Sequence, residues 1–169
     1  MPAFDGGAMP APDSASDIKS AKFRLDRPVV LLSKLNPRFP RAWNVESVGD
    51  RPALASTEFL VLEPVNSNTA ALWAAISQPE FSIALDAKVS GTSGSHQRVK
   101  PNDALNTLII DPRLISRERS ELVTNLVSLA GRARRESRTL TATRDALLPQ
   151  FMSGKLRVRD AEKVLEGVL

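Results

Sequence analysis

The chain has 169 residues, a formal net charge of +4, 42% hydrophobic residues and no cysteine. This length predicts one domain with an attached element, and the apolar fraction excludes a wholly disordered chain. With no cysteine and with His96 as its one histidine, the sequence excludes disulfides, a cysteine nucleophile and thiolate or histidine-cluster metal sites, so we expect no metal and no cofactor. No apolar run is long enough to span a membrane and no signal-peptide pattern is present. We therefore expect a cytoplasmic protein without a membrane partner.

Short strands and helices are predicted before residue 112. Apolar alternation and short apolar runs indicate strands at five places: 22–25, 29–32, 43–45, 53–62 and 108–110. A helix over 69–76 with Asn68 as its N-cap is expected, and a second helix begins at Pro79. Separated strands and short helices together predict an α+β fold.

A long helix with a heptad pattern is predicted after residue 112. There is no proline between Ile115 and Pro149, and Gly154 is a suitable C-cap. Apolar or small residues recur in alternating steps of four and three if Glu136 fills one gap, which is the repeat of a coiled-coil seam. The seam consists of Leu122, Leu126, Leu129, Ala133, Leu140 and Leu147. Because one copy of this helix cannot bury its own seam, we expect self-association or capture by a partner.

Positive charge is concentrated in this second part of the chain. Residues 1–112 contain 11 Lys and Arg against 12 Asp and Glu, whereas residues 113–169 contain 12 against 7. The sequence pI of about 9.8 indicates an anionic partner. A near-neutral first part, however, lacks the uniform basic surface of a non-specific nucleic-acid binder. We expect a globular domain over 1–112 and a coiled-coil helix with a short tail over 113–169.

Two polar loops combine cations, carboxamides and hydroxyls as DNA-contacting loops do. Lys and Arg pair with phosphates, whereas Asn, Gln and Arg can read base edges. The first loop, stiffened by prolines, offers Ser33, Lys34, Asn36, Arg38 and Arg41, and we expect Phe39 beside them to be partly exposed. The second loop offers small residues that let the backbone approach a phosphate, and a dense run of donors: Thr92, Ser93, Ser95, His96, Gln97 and Arg98. A solvated turn and a hydrophilic linker are the alternatives.

Catalytic motifs are absent from the sequence. Ser93 and Ser95 lie near His96, but adjacency in a Gly/Ser-rich loop does not supply the held base and orienting acid of a triad. Neither a phosphate-binding glycine loop nor a metalloprotease motif occurs. We therefore expect a protein that is not an enzyme.

A cluster of arginines at 132–135 lies within the long helix. Such a basic face could lie on DNA phosphates. The alternative, favoured by the neighbouring Glu136, is the solvated outer face of a coiled coil or pairing with another protein. We favour this alternative at the level of the sequence.

Four segments in a fixed order resemble the specificity subunit of type I restriction–modification systems. They are SKLNP at 33–37, ASTEF at 55–59, GTSGSHQRV at 91–99 and LLPQFMSGKLRV at 147–158. The similarity runs from about Met9 to the C-terminus. The four segments in this order and spacing are a specific match to the family, whereas any one segment alone would be weak evidence for it.

The resemblance implies a target-recognition domain that reads one half of a split double-stranded DNA sequence. A following spacer helix would form a coiled coil and dock the DNA methyltransferase (modification) subunits. Those subunits carry the chemistry, and a separate restriction subunit joins through the complex. The family has two recognition domains and two helices, and its recognition domain begins earlier. We therefore expect a half-subunit that pairs with a second half, or the C-terminal piece of a longer subunit. The alternative is a coiled-coil interaction module without specific DNA binding.

Overall fold

The computed structural model describes residue 10 and residues 12–39, 41–89 and 97–156, and over these the chain has an α+β fold. Small antiparallel sheets precede a long C-terminal helix, as the sequence predicts. The strands are β1 (Lys22–Leu25), β2 (Val29–Ser33), β3 (Ala42–Val45), β4 (Ala53–Ser56) and β5 (Phe59–Leu62). The helices are α1 (Thr69–Ile76), α2 (Pro79–Asp86), α3 (Pro101–Leu105) and α4 (Arg117–Met152), with 3-10 turns at Ala15–Asp17 and Pro112–Leu114.

Strand β2 is the centre of the fold. It lies between β3 and β5 in a three-stranded antiparallel sheet, where Leu31 is paired with Trp43 on one side and Val61 on the other. Every residue of β2 is buried. A strand that is covered on both faces needs no polar face, which explains the unbroken apolar run in its sequence.

The two faces of β2 belong to two apolar clusters. One cluster packs Val30 and Leu32 against helices α1 and α2 through Ile76, Phe81 and Leu85. The other cluster contains Leu25, Val29, Leu31, Ala55 and Phe59. Strand β2 is therefore fixed from both sides, and so is the point at which the first candidate loop leaves it.

The single strand predicted over 53–62 is in fact two strands. Strand β4 pairs with β1 in a separate two-stranded antiparallel sheet, whereas β5 pairs with β2. A turn at Thr57 and Glu58 separates them. The prediction was wrong because a run of β-favouring residues does not reveal which neighbour each half will pair with.

Both predicted short helices form at the expected places. The side chain of Asn68 accepts a hydrogen bond from Ala71 N at 2.7 Å and caps α1. Helix α2 begins at Pro79, where the missing N–H of proline costs nothing because the first turn has no intrahelical partner for it. The sequence therefore located these helices through their termini.

Residues 108–110 do not form the predicted buried strand. Leu108 is 94% exposed and Ile110 is 65% exposed, while Ile109 packs against the core. None of the described strands pairs with this segment. An apolar run needs a neighbouring strand to become part of a sheet, and the short helix α3, which we did not predict, precedes it instead.

Helix α4 confirms the predicted long helix. Its first turn is capped by Ser116, whose hydroxyl accepts a hydrogen bond from Arg119 N at 3.4 Å. The helix ends near Gly154, which has φ of +69°, and Leu156 N donates to Gln150 O at 3.1 Å, the reversal expected of a glycine C-cap. No helix in the described part of the chain is both long enough and apolar enough to cross a membrane.

The chain divides into two compact units, with the boundary between Ser128 and Leu129. The first unit therefore includes the opening turns of α4, and it extends further along the chain than the globular domain predicted to end at residue 112. The second unit contains the rest of α4.

Candidate nucleic-acid interface

The first candidate loop leaves β2 as a tight turn. Phe39 N donates to Asn36 O at 2.9 Å, and Pro37 stands at the second position of this four-residue turn, which favours the fixed φ of proline. Asn36 has φ of +48°, a left-handed conformation that asparagine tolerates better than most residues. Arg38 is exposed beside Phe39, which is 64% exposed, as expected.

A backbone bridge joins the two candidate loops. Leu35 and Arg98 are partners in an antiparallel bridge, and Val99 N donates to Lys34 O at 2.8 Å. Val99 is buried in the same cluster as the helix-facing side of β2. The C-terminal end of the second loop is therefore anchored in the core and held against the first loop.

An ion pair fixes Arg98 at this junction. Its Nη2 lies 3.1 Å from Oε1 of Glu58, and the two side chains are 64% and 31% exposed. A guanidinium has five N–H donors, so this pairing orients Arg98 and leaves most of its donors for a ligand. The second oxygen of Glu58, Oε2, is buried and has no hydrogen-bond partner among the described residues.

Lys34 lies against the same turn between β4 and β5. Its backbone N donates to Glu58 O at 2.9 Å, and its Nζ donates to Thr57 O at 2.6 Å. The ammonium group has two further donors. Lys34 is therefore held close to Arg98 by contacts with one turn.

Ser33 and Arg41 shape the base of the first loop. Ser33 is 3% exposed, and its hydroxyl donates to Leu35 O at 3.2 Å and accepts from Leu35 N at 3.1 Å. Ser33 N also donates to Arg41 O at 2.9 Å, and the Arg41 side chain is half-buried. A buried hydroxyl that donates to and accepts from the backbone of its own loop does not reach a ligand. Ser33 therefore stabilises the base of the first loop.

Part of the second candidate loop lies outside the described residues: Thr92, Ser93, Ser95 and His96. Gln97 is the first described residue after them. It is half-buried, and its carbonyl accepts a hydrogen bond from Asn36 N at 3.1 Å. Gln97 and Arg98 are therefore the members of this loop that the structure brings beside the first loop.

We call the resulting set the junction surface, which comprises Lys34, Asn36, Arg38, Gln97 and Arg98. It combines three cations and two carboxamides with one neighbouring carboxylate, Glu58. Phosphates and base edges are ligands for these groups. No group of three potential metal-ligating side chains occurs in the described ranges.

Glu58 is the functional residue that sequence reasoning missed. It sits in a turn that was read as the middle of a strand, so no pattern marked it as a neighbour of Arg98. The segment ASTEF at 55–59, which contributes to the family resemblance, was the one available signal. Glu58 positions Arg98 and does not itself contact a ligand, because Oε2, its oxygen without a hydrogen-bond partner among the described residues, is buried.

The predicted seam of α4 is exposed along its length. The exposed fractions are 58% for Leu122, 56% for Leu126, 63% for Leu129, 63% for Leu140 and 36% for Leu147, and Ala133 is exposed as well. No residue of α4 is buried. Burying one leucine side chain is worth about 1.5–3 kcal/mol, so this row of leucines is a surface on which a partner would gain stability.

The start of α4 contacts the globular unit through the opposite side of the helix. Asn68 Nδ2 donates to Ser120 Oγ at 2.7 Å, and Ser128 Oγ donates to Glu46 Oε2 at 2.9 Å. At about 3.6 residues per turn, these two serines lie about 100° to 180° around the helix from Leu122, Leu126 and Leu129. The globular unit therefore leaves the first seam residues uncovered.

A polar cavity of about 190 Å³ adjoins this contact. Its lining residues are Asn44, Glu46, Asn68, Thr69, Ala70, Thr124 and Ser128. The carboxamide of Asn44 is buried without a hydrogen-bond partner among the described residues. A cavity of this size has room for water.

Asp111 fixes the turn that leads into α4. Its carboxylate accepts a hydrogen bond from Arg113 N at 2.9 Å and lies 2.6 Å from Arg113 Nη2. The hydrogen bond from the Arg113 side chain, followed by the one from its backbone, lowers the pKa of Asp111 to about 2. The same pairing raises the pKa of Arg113.

A scan against protein-family models found no match for the chain, and a search of the curated proteins found none either. The two features of the described residues that bear on function are the junction surface and the exposed seam.

Proposed function

We propose that the chain is the DNA-recognition and scaffold subunit of a type I restriction–modification complex and has no catalytic activity of its own. The observation that carries the proposal is the backbone bridge between Lys34 and Val99, which holds Gln97 and Arg98 beside the first loop. The order of the four sequence segments that resemble the specificity subunit supports the same function.

The residue types of the junction surface divide into two roles. Lys34 and Arg38 pair with phosphates, which positions the chain on duplex DNA without reading sequence. Asn36 and Gln97 offer carboxamides suited to adenine, and Arg98 offers a guanidinium suited to the two acceptors of guanine. Arg98 is the strongest candidate reader because Glu58 holds its orientation.

The seam of α4 supports the scaffold half of the proposal. A partner helix with the same heptad pattern, from a second copy or from another specificity half, would bury these leucines in a coiled coil. Methyltransferase subunits would dock through the same long helix, and the restriction subunit would join through them. The methyl donor and ATP belong to those subunits, so the chain itself uses no cofactor.

A gel shift of the full chain with duplex DNA at two salt concentrations, with competitor DNA and with a modification subunit present, tests the proposal. We expect a retained complex that survives competitor and weakens as salt rises, because bound phosphates release counterions. Arg38→Ala should weaken binding to every sequence alike, whereas Arg98→Ala should relax one base position. Arg27→Ala, in an exposed pair with Glu63, is the matched control and should change neither.

Absence of DNA retention at low salt, with the modification subunit still bound, would favour the alternative function. The chain would then be a coiled-coil interaction module, or a degenerate specificity subunit, that occupies a methyltransferase without reading DNA. The exposed seam is compatible with this alternative, whereas the junction surface would have no role in it.

A further inference from the structure

Three arginines lie on the outer face of α4, away from the seam. If Leu129 and Leu140 occupy core heptad positions, Arg134, Arg135 and Arg138 occupy the b, c and f positions on the other side of the helix. All three side chains are exposed. A partner helix on the seam would leave them in solvent, so coiled-coil pairing does not use them. We call them the outer arginines.

The outer arginines have no ion-pair partner in the described part of the chain. Other arginines of the same helix do have one: Arg117 Nε lies 2.7 Å from Glu121, and Arg144 Nη2 lies 2.7 Å from Asp145. The sequence places no acidic residue three or four positions from any outer arginine. Two arginines nearer the ends of the helix therefore have an acidic partner, whereas the outer arginines have none in the described residues.

The outer arginines are instead neighbours of one another. Arg138 lies four residues after Arg134 and three after Arg135, the two spacings at which side chains meet on a helix surface. Like charges at these spacings destabilise a helix. Such a face is unfavourable in the free protein and becomes favourable when an anion binds it.

We propose that the outer arginines bind the phosphate backbone of duplex DNA as a second, sequence-independent contact. The proposal rests on the DNA-binding function proposed above for its choice of partner. Along the helix axis the three guanidinium-bearing residues are spaced over about 6 Å, at 1.5 Å per residue, so more than one phosphate is in reach. The planar fork of arginine matches phosphate oxygens in bidentate geometry.

The composition of this face favours a nucleic-acid backbone over a protein. Between 131 and 142 its remaining residues are small or polar, namely Gly131, Thr141 and Ala142, and the next position on this face is Asp145, which is paired with Arg144. The centre of a protein interface is enriched in apolar and aromatic side chains and depleted in charge. A polyanion needs no such centre.

The test compares two triple variants of the full chain that lose the same charge from the same helix. One is Arg134→Gln, Arg135→Gln, Arg138→Gln; the control is Arg117→Gln, Arg119→Gln, Arg144→Gln. The probe is a duplex of mixed sequence, and the readout is the slope of log affinity against log salt. Three lost phosphate contacts should lower the magnitude of that slope by about 2 to 3, at roughly 0.9 per contact, and the control should lower it by less than about 1.

Circular dichroism checks that both variants remain helical. Helix content should be kept or increased in the outer-arginine variant, because the repulsive pairs are removed. An unchanged salt slope, or equal changes in both variants, would overturn the proposal. The proposal would also be overturned if the outer-arginine variant kept its salt slope but lost binding to the modification subunit. That result would show that this face docks a protein. Because the probe has no target sequence, these outcomes are independent of whether the junction surface reads bases.

Discussion

The junction surface and helix α4 are held in place in opposite ways. At the junction, Arg98 is oriented by Glu58, and Val99 buries its side chain in the core and bonds to Lys34 through its backbone. Along α4 no side chain is buried, and the leucines of the seam face solvent. The contacts of the first region are made within one chain, whereas the leucines of the second are left exposed by the chain. We therefore expect substitutions beneath the junction surface to change the free energy of unfolding, and substitutions in the seam to change association with a partner.

The largest expected effect is on the free energy of unfolding, through the apolar core that packs against the junction surface. Leu32→Ala should lower the free energy of unfolding by about 2–5 kcal/mol, because it removes a buried side chain and leaves a cavity. Leu140→Ala, at a 63% exposed position, should change it by less than about 0.5 kcal/mol at concentrations where the chain is monomeric. Urea melts followed by circular dichroism measure both. A large loss from Leu140→Ala in a demonstrated monomer would contradict the division between the regions.

The next effect is on association through the seam. Leu140→Lys should weaken self-association or capture of a partner helix by about tenfold or more, because it replaces a leucine worth about 1.5–3 kcal/mol on burial with a charge. Leu148→Lys is the matched control, since Leu148 is also exposed but lies outside the seam. Sedimentation velocity across a concentration series gives both constants. Equal effects from the two leucines would show that association does not follow the heptad.

A smaller effect is expected on the selectivity of the junction surface between DNA sequences. Glu58→Gln weakens the hold on Arg98 and should reduce the preference for the best duplex over a random one by about two- to fivefold, the range of a partly exposed ion pair. Affinity for the random duplex should not fall, because the variant removes a negative charge. Glu63→Gln, whose partner is the exposed Arg27, is the control for charge alone. A uniform loss on both duplexes would show that Glu58 supports the fold and not the reading residue.

The smallest effect concerns pH and the turn before α4. Because Arg113 lowers the pKa of Asp111 to about 2 in the folded chain, from 3.8 when free, this pair favours the folded state above about pH 4. Its contribution fades as pH falls through about 2. Asp111→Asn should remove this component from the acid-unfolding curve, so that stability falls less steeply between about pH 4 and pH 2. A variant curve with the same acid dependence as the parent chain would contradict the assignment.

Local signals in the sequence were sufficient for three of the four described α-helices and for the strand at 29–32, whereas α3 was not predicted. Asn68, Pro79 and Gly154 mark helix termini through bonds made within a few residues, so no distant contact is needed to place them. The strand at 29–32 was predicted from its apolar run, whereas its central place in the sheet follows only from the structure. The long helix followed from its spacing and its lack of proline.

Pairing between distant residues could not be predicted in the same way. The segment 53–62 divides because its halves join different sheets, and residues 108–110 stay exposed because no strand pairs with them. The same limit applies to the site, where both loops were recognisable by composition but Glu58 was not. Its contact with Arg98 spans about forty residues and depends on a turn that has no signature in sequence.

Selection of duplexes from a random-sequence pool by the full chain, alone and together with a modification subunit, measures whether the chain reads DNA sequence. We expect a sequence motif to be enriched, Arg98→Ala to relax one defined position of it, and Arg27→Ala to recover the same motif. Retention of DNA without any enriched motif in either arm, from a chain shown to be folded, would contradict DNA reading by the junction surface.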